Sequence, residues 1–229
     1  MTTDGFVDFN DIAQPDKRNL DRSRLDEFGR SIPYTFEHHY RDIALYGLDE
    51  HIPEDVRRVY DRARNVYVYA WFEYHFYVVA EGQALASLEF ALKTRIDSAE
   101  LELYRRQNRM TRGLKLLMSF AADKELVRNK EFRVWWSQSK FKAEQEYIYR
   151  QAEELNASSE SSQELDLDAV TAHDLSIPYN HVKHLAETTP NVRNEFAHGT
   201  SMVNFPSIGR LEMVSEYVNA LYREKVIDD

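Results

Sequence analysis

Residues 54–98 read EDVRRVYDRARNVYVYAWFEYHFYVVAEGQALASLEFALKTRIDS, a stretch with no proline and a single glycine. Apolar side chains recur in it every three or four residues, the spacing that places them on one face of an α-helix. Pro53 fixes the backbone just ahead, and the acidic residues that follow suit the positive end of a helix dipole. The stretch therefore predicts a helix that runs to about Ser98. Unbroken, it would be roughly 60 Å long, and Gly82 is the expected position of a bend.

The segment from Tyr67 to Tyr77 holds seven aromatic residues in eleven positions. Tyr67, Tyr69 and Trp71 alternate as they would in a β-strand, but the length of the surrounding stretch without turn residues favours a helix. Aromatic side chains around most of the circumference are typical of a helix buried at the centre of a bundle. Stacking of these rings on nucleic-acid bases is the alternative. Burial in the core is the favoured interpretation.

The rest of the chain also favours helices. Seven glycines and six prolines are too few for the frequent turns of a β-sandwich. Further helices are predicted over residues 114–127, 132–155, 173–188 and 207–226, with a short one, capped by Thr188 or Thr189 and carrying Pro190 in its first turn, ending near Gly199. Residues 1–50 are expected to form an irregular N-terminal arm, partly ordered at most, and a segment that packs on the body. Residues 51–229 form the predicted domain, an all-α helical bundle with a long central helix.

The charge and composition restrict the classes of function. A formal net charge of −10 argues against tight, non-specific nucleic-acid binding through the overall field, but leaves room for a small, locally basic site. The absence of cysteine excludes disulfides, thiolate metal sites and a cysteine nucleophile, and fits a reducing compartment. The sequence shows neither a signal peptide nor an apolar run of about 18 residues. We therefore expect a cytoplasmic protein without a membrane partner.

Residues 193–199 read RNEFAHG and combine the groups best suited to a reactive site. An arginine can hold a phosphate through two parallel hydrogen bonds, and a histidine can move a proton near pH 7. Arg193 and His198 are five positions apart, about 140° around a helix axis. Either the long arginine reaches around the helix, or two copies of the motif face each other across a two-fold axis. The structural alternative is an ion pair of Arg193 with a carboxylate. The candidate partners are Glu89, Glu187 and Glu195.

This motif resembles the signature of the HEPN superfamily, an arginine followed after four to six residues by a histidine, often with a polar residue directly after the arginine. Residues 84–93, ALASLEFALK, are similar to the long helix that commonly precedes the signature. The resemblance covers roughly residues 56–226. It implies a helical bundle that forms a homodimer, with the motifs of both subunits at the interface.

Many HEPN proteins are metal-independent endoribonucleases of toxin–antitoxin, phage-defence or RNA-processing systems, and others are inactive binding or scaffold modules. Carried onto this chain, the resemblance implies that His198 is the general base or acid and that Arg193 stabilises the charge of the phosphorane. Asn194 would orient the phosphate or the histidine. The implied reaction is transesterification by the 2′-hydroxyl, with no cofactor and no metal. The implied partners are RNA, a second copy of the chain, and an antitoxin or defence protein.

Three other groups of polar residues admit a functional interpretation. His181 and His184 have a spacing that can bind zinc, although a solvated helix face is favoured. The adjacent His38 and His39 point apart on a helix or a strand and are not expected to share a ligand. The segment from Arg105 to Lys115 holds five basic residues that can contact phosphates, but a solvated surface around a turn is favoured.

Overall fold

The computed structural model describes residues 6–157, 165–167, 169–170, 180–197 and 208–223. Within these residues the chain is an all-α helical bundle preceded by an N-terminal arm, which confirms the predicted fold class. The described helices are α1 Lys17–Leu20, α2 Phe36–Ala44, α3 Glu54–Tyr69, α4 Phe76–Arg95, α5 Ser98–Gln107, α6 Leu114–Asp123, α7 Arg133–Ala157, α8 His181–Ala197 and α9 Gly209–Tyr222. A 3₁₀ turn spans Asn129–Glu131, and the short strands β1 Ser23–Leu25 and β2 Ser31–Pro33 pair antiparallel in the arm.

The centre of the bundle is α4, which packs against α3, α9, α8 and α6. Its inward side buries large apolar residues, namely Tyr77, Leu85, Leu88 and Leu92. From α3, the buried Tyr60 hydroxyl donates a hydrogen bond of 2.8 Å to the carbonyl oxygen of Leu211 on α9. The three helices α3, α4 and α9 therefore share one continuous core, and the other helices pack around it.

The long predicted helix is interrupted over residues 70–75, and not at Gly82, which lies inside α4. A side chain from the arm accounts for the break. The amide of Asn19 donates to the carbonyl oxygens of Ala70 and Trp71, at 2.9 and 3.1 Å, and the backbone N–H of Asp16 also donates to Trp71. Because the arm takes these carbonyl groups, the next turn of helix is not needed to satisfy them.

The arm is more ordered than the sequence indicates. Asn19 is fully buried and also accepts a hydrogen bond from the hydroxyl of Tyr77, at 3.0 Å. The guanidinium of Arg22 lies over the ring of Tyr34, 4.2 Å from its centroid, and donates to the same Tyr77 hydroxyl. These contacts fix the arm from Asp16 onwards to the turn between α3 and α4. Polar groups supply much of this attachment, so a scan for apolar residues misses it.

The aromatic segment from Tyr67 to Tyr77 straddles this turn. Four of its rings are buried, as predicted, and these belong to Tyr67, Trp71, Tyr74 and Tyr77. Tyr69 and Phe76 are exposed. The interpretation of the segment as core is therefore confirmed for the side that faces the arm and α2, and wrong for the side that faces outward.

Two separate helices were predicted between residues 173 and 199, but the described part, His181–Ala197, is one continuous helix with Pro190 inside it. Residues 173–179 lie outside the described residues. Pro190 has no N–H to donate to the carbonyl group of Ala186, which normally costs a helix several kilocalories per mole. Burial of Leu185, Ala186 and Pro190 on the inner side of α8 compensates for this cost, since α8 packs on α6 and α4. Tertiary packing here overrides the local preference.

Replacing Gly82 with alanine is expected to stabilise the protein. Glycine inside a helix is about 0.8–1.0 kcal/mol less favourable than alanine. An added Cβ atom would lie 3.7 Å from the Cβ atom of Phe196, an ordinary van der Waals contact. Urea unfolding should therefore show the free energy of unfolding of Gly82→Ala raised by about 0.5–1 kcal/mol. A decrease would mean that Phe196 cannot accommodate the methyl group.

The stability of the bundle should fall on acidification through His39. This ring is fully buried, stacks on Tyr67 and donates to the Tyr67 carbonyl oxygen at 2.8 Å. Burial lowers the pKa of His39 below its ordinary value. Below about pH 6.5 the unfolded chain therefore binds a proton that the folded chain does not, so stability is lost as the pH falls from there towards the pKa of the folded state.

Denaturant unfolding at about pH 7.5 and pH 5.5 measures this loss. His39→Gln keeps an N–H donor but does not titrate, so it should show a smaller drop in the free energy of unfolding than the wild type. His38→Gln, at the partly exposed neighbouring residue, is the matched control. An equal drop in the wild type and His39→Gln would contradict the prediction.

Candidate functional site

The described part of the RNEFAHG motif lies at the C-terminal end of α8, and the start of that helix fixes its position. The side-chain oxygen of Asn180 accepts the N–H of Lys183 at 3.0 Å, and that of Asn129 accepts the N–H of Val182 at 3.0 Å. Asn180 caps the helix locally, and Asn129 ties its N-terminus to the 3₁₀ turn. Since the buried side of α8 faces α6 and α4, Arg193 and Phe196 of the motif lie beside the middle of α4.

Arg193 forms an ion pair with Glu89 of α4, with 3.1 Å between Nη2 and Oε2. Glu89 is nearly buried and also binds Lys93, whose Nζ atom lies 2.6 Å from Oε1. Burial alone would raise the pKa of Glu89, but the hydrogen bond and charge of Lys93, together with the charge of Arg193, outweigh burial and hold the pKa below its ordinary value. Glu89 is thus a stable anion between two cations, and one of the three predicted partners of Arg193 is present.

This ion pair orients Arg193 without enclosing it. The Arg193 side chain remains 40% exposed, and Asn194 beside it is exposed. A guanidinium group has five N–H donors, and the bond to Glu89 uses one of them. Chemically, the arrangement can accept an anion such as a phosphate on the outer side of Arg193, with the Asn194 amide as a neighbouring donor.

His198 lies outside the described residues. The structure brings Arg193 and Asn194 together on successive positions of α8, and the third member of the predicted set follows Ala197, the last described residue of that helix. The assignments of Arg193, Asn194 and His198 as catalytic residues therefore stay predictions.

A second ion pair borders the site and was not predicted. Glu81, buried in α4, accepts from the Nε atom of Arg210 on α9 at 3.1 Å. Burial raises the pKa of Glu81, although the hydrogen bond and charge of Arg210 act in the opposite direction. Phe196 lies against Gly82, and the centroid of its ring is 6.0 Å from the guanidinium carbon of Arg210. The signal in the sequence was the two glutamates, eight residues apart in a mostly apolar stretch.

The histidine candidates fall into different environments. His181 is buried and its ring meets Phe132 edge-on, with 4.8 Å between the centroids, so the prediction of a solvated face is wrong at this position. His184, one turn later, is exposed. His39 is a core residue and His38 belongs to the capping box of α2. In the described ranges, no group of three histidine, cysteine, aspartate or glutamate residues is arranged to hold a metal ion.

The basic segment from Arg105 to Lys115 is organised around an acid. Glu102 accepts hydrogen bonds from Arg105 and Arg106 and lies 3.6 Å from Arg112. The hydrogen bond from Arg105, followed by that from Arg106, lowers the pKa of Glu102 to about 2. The segment is a solvated ion-pair network at the end of α5, which confirms the favoured interpretation for these arginines.

The chain matches no protein-family model, no curated protein and no solved structure. The resemblance to HEPN proteins therefore rests on the motif and the helix that precedes it. As to membranes, no helix in the described part of the chain is both long and apolar enough to cross a bilayer.

Proposed function

We propose that this chain is a HEPN-like endoribonuclease that cleaves RNA without a metal ion and acts as a homodimer. The observation that carries the proposal is Arg193, which Glu89 holds in place while 40% of its side chain stays exposed next to Asn194. A fixed, accessible guanidinium group with a neighbouring amide is suited to bind a phosphodiester and to stabilise charge that develops on it.

The proposed reaction is a transesterification within the RNA. The 2′-oxygen attacks the adjacent phosphorus atom, the bond to the 5′-oxygen breaks, and the products carry a 2′,3′-cyclic phosphate and a 5′-hydroxyl. His198 takes the proton of the 2′-hydroxyl or delivers one to the leaving 5′-oxygen. Arg193 stabilises the negative charge of the phosphorane, and Asn194 orients the phosphate. The motif thus supplies its own acid–base group and its own cation, so no metal is needed for charge stabilisation.

Incubation of the purified chain with end-labelled single-stranded RNA in EDTA tests the proposal. We expect cleavage with products that end in a 2′,3′-cyclic phosphate, identified by mass spectrometry. Cleavage that requires a divalent metal, or products with a 3′-hydroxyl, would contradict the mechanism. The variant Arg193→Ala, purified in parallel, controls for contaminating nucleases, because it lacks the proposed phosphate-binding group of α8.

A second candidate function is a non-catalytic HEPN-like module that binds a partner in a defence or regulatory complex. The ion pair of Arg193 with Glu89 favours this candidate, because it gives the arginine a structural role, and so does the net charge of −10. Binding of RNA in a gel-shift assay without any cleavage would support the module.

For a toxin of a toxin–antitoxin or phage-defence system, induced expression should instead arrest growth, and Arg193→Ala should relieve the arrest.

A further inference from the structure

A cavity of about 500 Å³ opens beside the N-terminal end of α8. Its walls come from the C-terminal end of α6, from residues 125–130 and from the first turn of α8, and Trp135 of α7 completes them. We call it the α6–α8 cavity. Lys183 in its wall precedes Arg193 by ten residues, roughly 15 Å along the helix at about 1.5 Å per residue. None of the described residues of the RNEFAHG motif lines it, so the cavity is a separate site, of a size typical for small molecules.

Three basic side chains line the α6–α8 cavity, and they belong to Arg128, Lys130 and Lys183. Among the residues that the structure describes, none of the three forms an ion pair. In the basic segment, by contrast, the arginines at positions 105 and 106 share the carboxylate of Glu102. The N-terminus of α8 adds the positive end of a helix dipole. In a chain with a net charge of −10, three unpaired cations at one cavity indicate an anionic ligand.

Two asparagine amides line the cavity beside these cations. The side-chain oxygens of Asn129 and Asn180 accept the N–H groups of Val182 and Lys183, both at 3.0 Å. Each amide nitrogen therefore keeps two N–H donors, for which the described part of the chain supplies no acceptor. Since the caps hold both side chains in place, these donors are oriented before a ligand binds. Phosphate oxygens accept charge-assisted hydrogen bonds from such groups, so this side of the cavity suits a phosphate.

Two carboxylates line the cavity as well, those of Asp123 and Glu125. Asp123 accepts a hydrogen bond of 2.6 Å from the hydroxyl of Tyr104 through Oδ2 alone, so its other oxygen can accept from a ligand. Glu125 follows the end of α6 with a backbone φ of 50°, a left-handed conformation that glycine or asparagine normally occupies after a helix. Strain of this kind in other residues clusters at ligand sites. Carboxylates accept hydrogen bonds from hydroxyl groups, so the ligand that suits them carries hydroxyls beside its phosphate.

The remaining wall of the cavity is apolar, and its members are Ala122, Val127, Trp135 and Val182. Trp135 is 4% exposed, and its indole N–H is buried without an acceptor among the described residues. A buried tryptophan N–H usually has a hydrogen-bond partner, so the chain alone leaves this wall incomplete. A flat ring with polar atoms at its edge suits such a wall.

We propose that the α6–α8 cavity binds a free nucleoside phosphate. Its phosphate groups contact the three cations and the two asparagine amides. Its ribose hydroxyls donate to Asp123 and Glu125, and its base packs on the apolar wall around Trp135. Each of the three parts of the ligand thus meets a wall of matching chemistry.

Other anions use only part of these walls. Inorganic phosphate leaves the carboxylates and the apolar wall without a contact. An acidic peptide meets two carboxylates of its own sign, and a sugar phosphate has no aromatic ring for the apolar wall. A nucleoside phosphate uses all three walls. Nucleotide binding at this cavity goes beyond the proposed function and does not depend on it, so the binding of nucleotide and the cleavage of RNA can fail independently.

Isothermal titration calorimetry of the full chain with ATP in EDTA tests the site. We expect a dissociation constant between about 10 µM and 1 mM. Adenosine lacks the phosphates and tripolyphosphate lacks the nucleoside, so each should bind at least about tenfold more weakly than ATP. Equal affinity for tripolyphosphate and ATP would reduce the cavity to a simple anion site and contradict the proposal.

Lys183→Glu tests the phosphate side of the cavity. Lys183 is the third residue of α8, a position at which glutamate suits the helix dipole, so the substitution should not weaken the helix. We expect the dissociation constant for ATP to rise by about tenfold or more. Lys115→Glu is the matched control, because it makes the same change of charge at an exposed lysine in the first turn of α6, outside the cavity. Its affinity for ATP should stay within about twofold of the wild type.

Glu125→Gly tests the ribose side and separates binding from folding. Glycine adopts the left-handed backbone without strain, so the melting temperature should rise by about 1–3 °C. The wild type should bind ATP about tenfold more tightly than 2′,3′-dideoxy-ATP, which lacks the ribose hydroxyls. That ratio should fall in Glu125→Gly, because one acceptor of the hydroxyls is gone. An unchanged ratio would rule out Glu125 as a ligand of the ribose.

Three results would overturn nucleotide binding at the cavity. The first is no measurable binding of ATP to the wild type at about 1 mM. The second is equal affinity of Lys183→Glu and Lys115→Glu for ATP. The third is a single-stranded RNA of about ten nucleotides that displaces ATP from the Arg193→Ala variant at lower concentrations than ATP itself requires, since the cavity would then belong to an RNA-binding surface.

Discussion

His198→Ala is expected to reduce the rate of RNA cleavage by about 10²–10⁴-fold, the contribution typical of a positioned general acid or base. The mutation removes the group proposed to move the proton of the 2′-hydroxyl or of the leaving oxygen. Cleavage of end-labelled RNA in EDTA, followed under single-turnover conditions, measures the loss in the chemical step. Circular dichroism of His198→Ala checks that the bundle stays folded.

His184→Ala is the matched control for this experiment. It removes a histidine from the exposed side of α8, 14 residues before His198 in the sequence. We expect cleavage within about twofold of the wild type, since surface changes of this kind have small effects. Equal cleavage by the wild type and His198→Ala, with both proteins folded by circular dichroism, would rule out His198 as the acid–base group.

Arg193→Lys is expected to lower cleavage by about 10²–10³-fold, close to the loss for Arg193→Ala. Lysine keeps the positive charge but cannot make two parallel hydrogen bonds to a phosphate. It can still pair with Glu89, so the contact between α8 and α4 persists. In Arg193→Ala, Glu89 keeps its bond to Lys93 and is not left as an unpaired buried charge. Activity and stability can therefore be separated at this position.

The measurement is the single-turnover rate of each variant beside its free energy of unfolding in urea. We expect Arg193→Lys to change the free energy of unfolding by less than about 1 kcal/mol, as is usual for a half-exposed ion pair. Arg223→Lys is the matched control, because Arg223 also pairs with a carboxylate, that of Glu131, at the bundle surface. Full activity of Arg193→Lys would show that a positive charge alone suffices, and would rule out the proposed pair of parallel hydrogen bonds from Arg193 to the phosphate.

Several features of this protein follow from sequence neighbours alone. The start of α3 at Glu54 was predicted because Pro53 and the first acidic residues act within one turn. The all-α class followed from three- and four-residue spacing, and Glu89 stood among the three partners predicted for Arg193. Each of these depends on residue type and local spacing, and neither changes with the position of distant parts of the chain.

Other features needed groups that are remote in sequence. The break between α3 and α4 depends on Asn19, 51 residues before Ala70, whose carbonyl oxygen it binds. The continuity of α8 through Pro190 depends on packing against α6 and α4, which outweighs the missing N–H. His181 becomes a core residue because Phe132 covers it.

Helix α4 shows the same division within one helix. Its apolar character is written in the sequence, but spacing alone could not tell which apolar side of α4 would be covered, because this helix is apolar nearly all round. The positions of α3, α9, α8 and α6 decided that. Sequence by itself thus determined the helical class, the start of α3 and which residues carry reactive groups, since those depend on residue type and short-range geometry. Only the tertiary structure decided which carbonyl groups are hydrogen-bonded, which rings are buried and which helix faces are covered. These depend on partners that folding brings together.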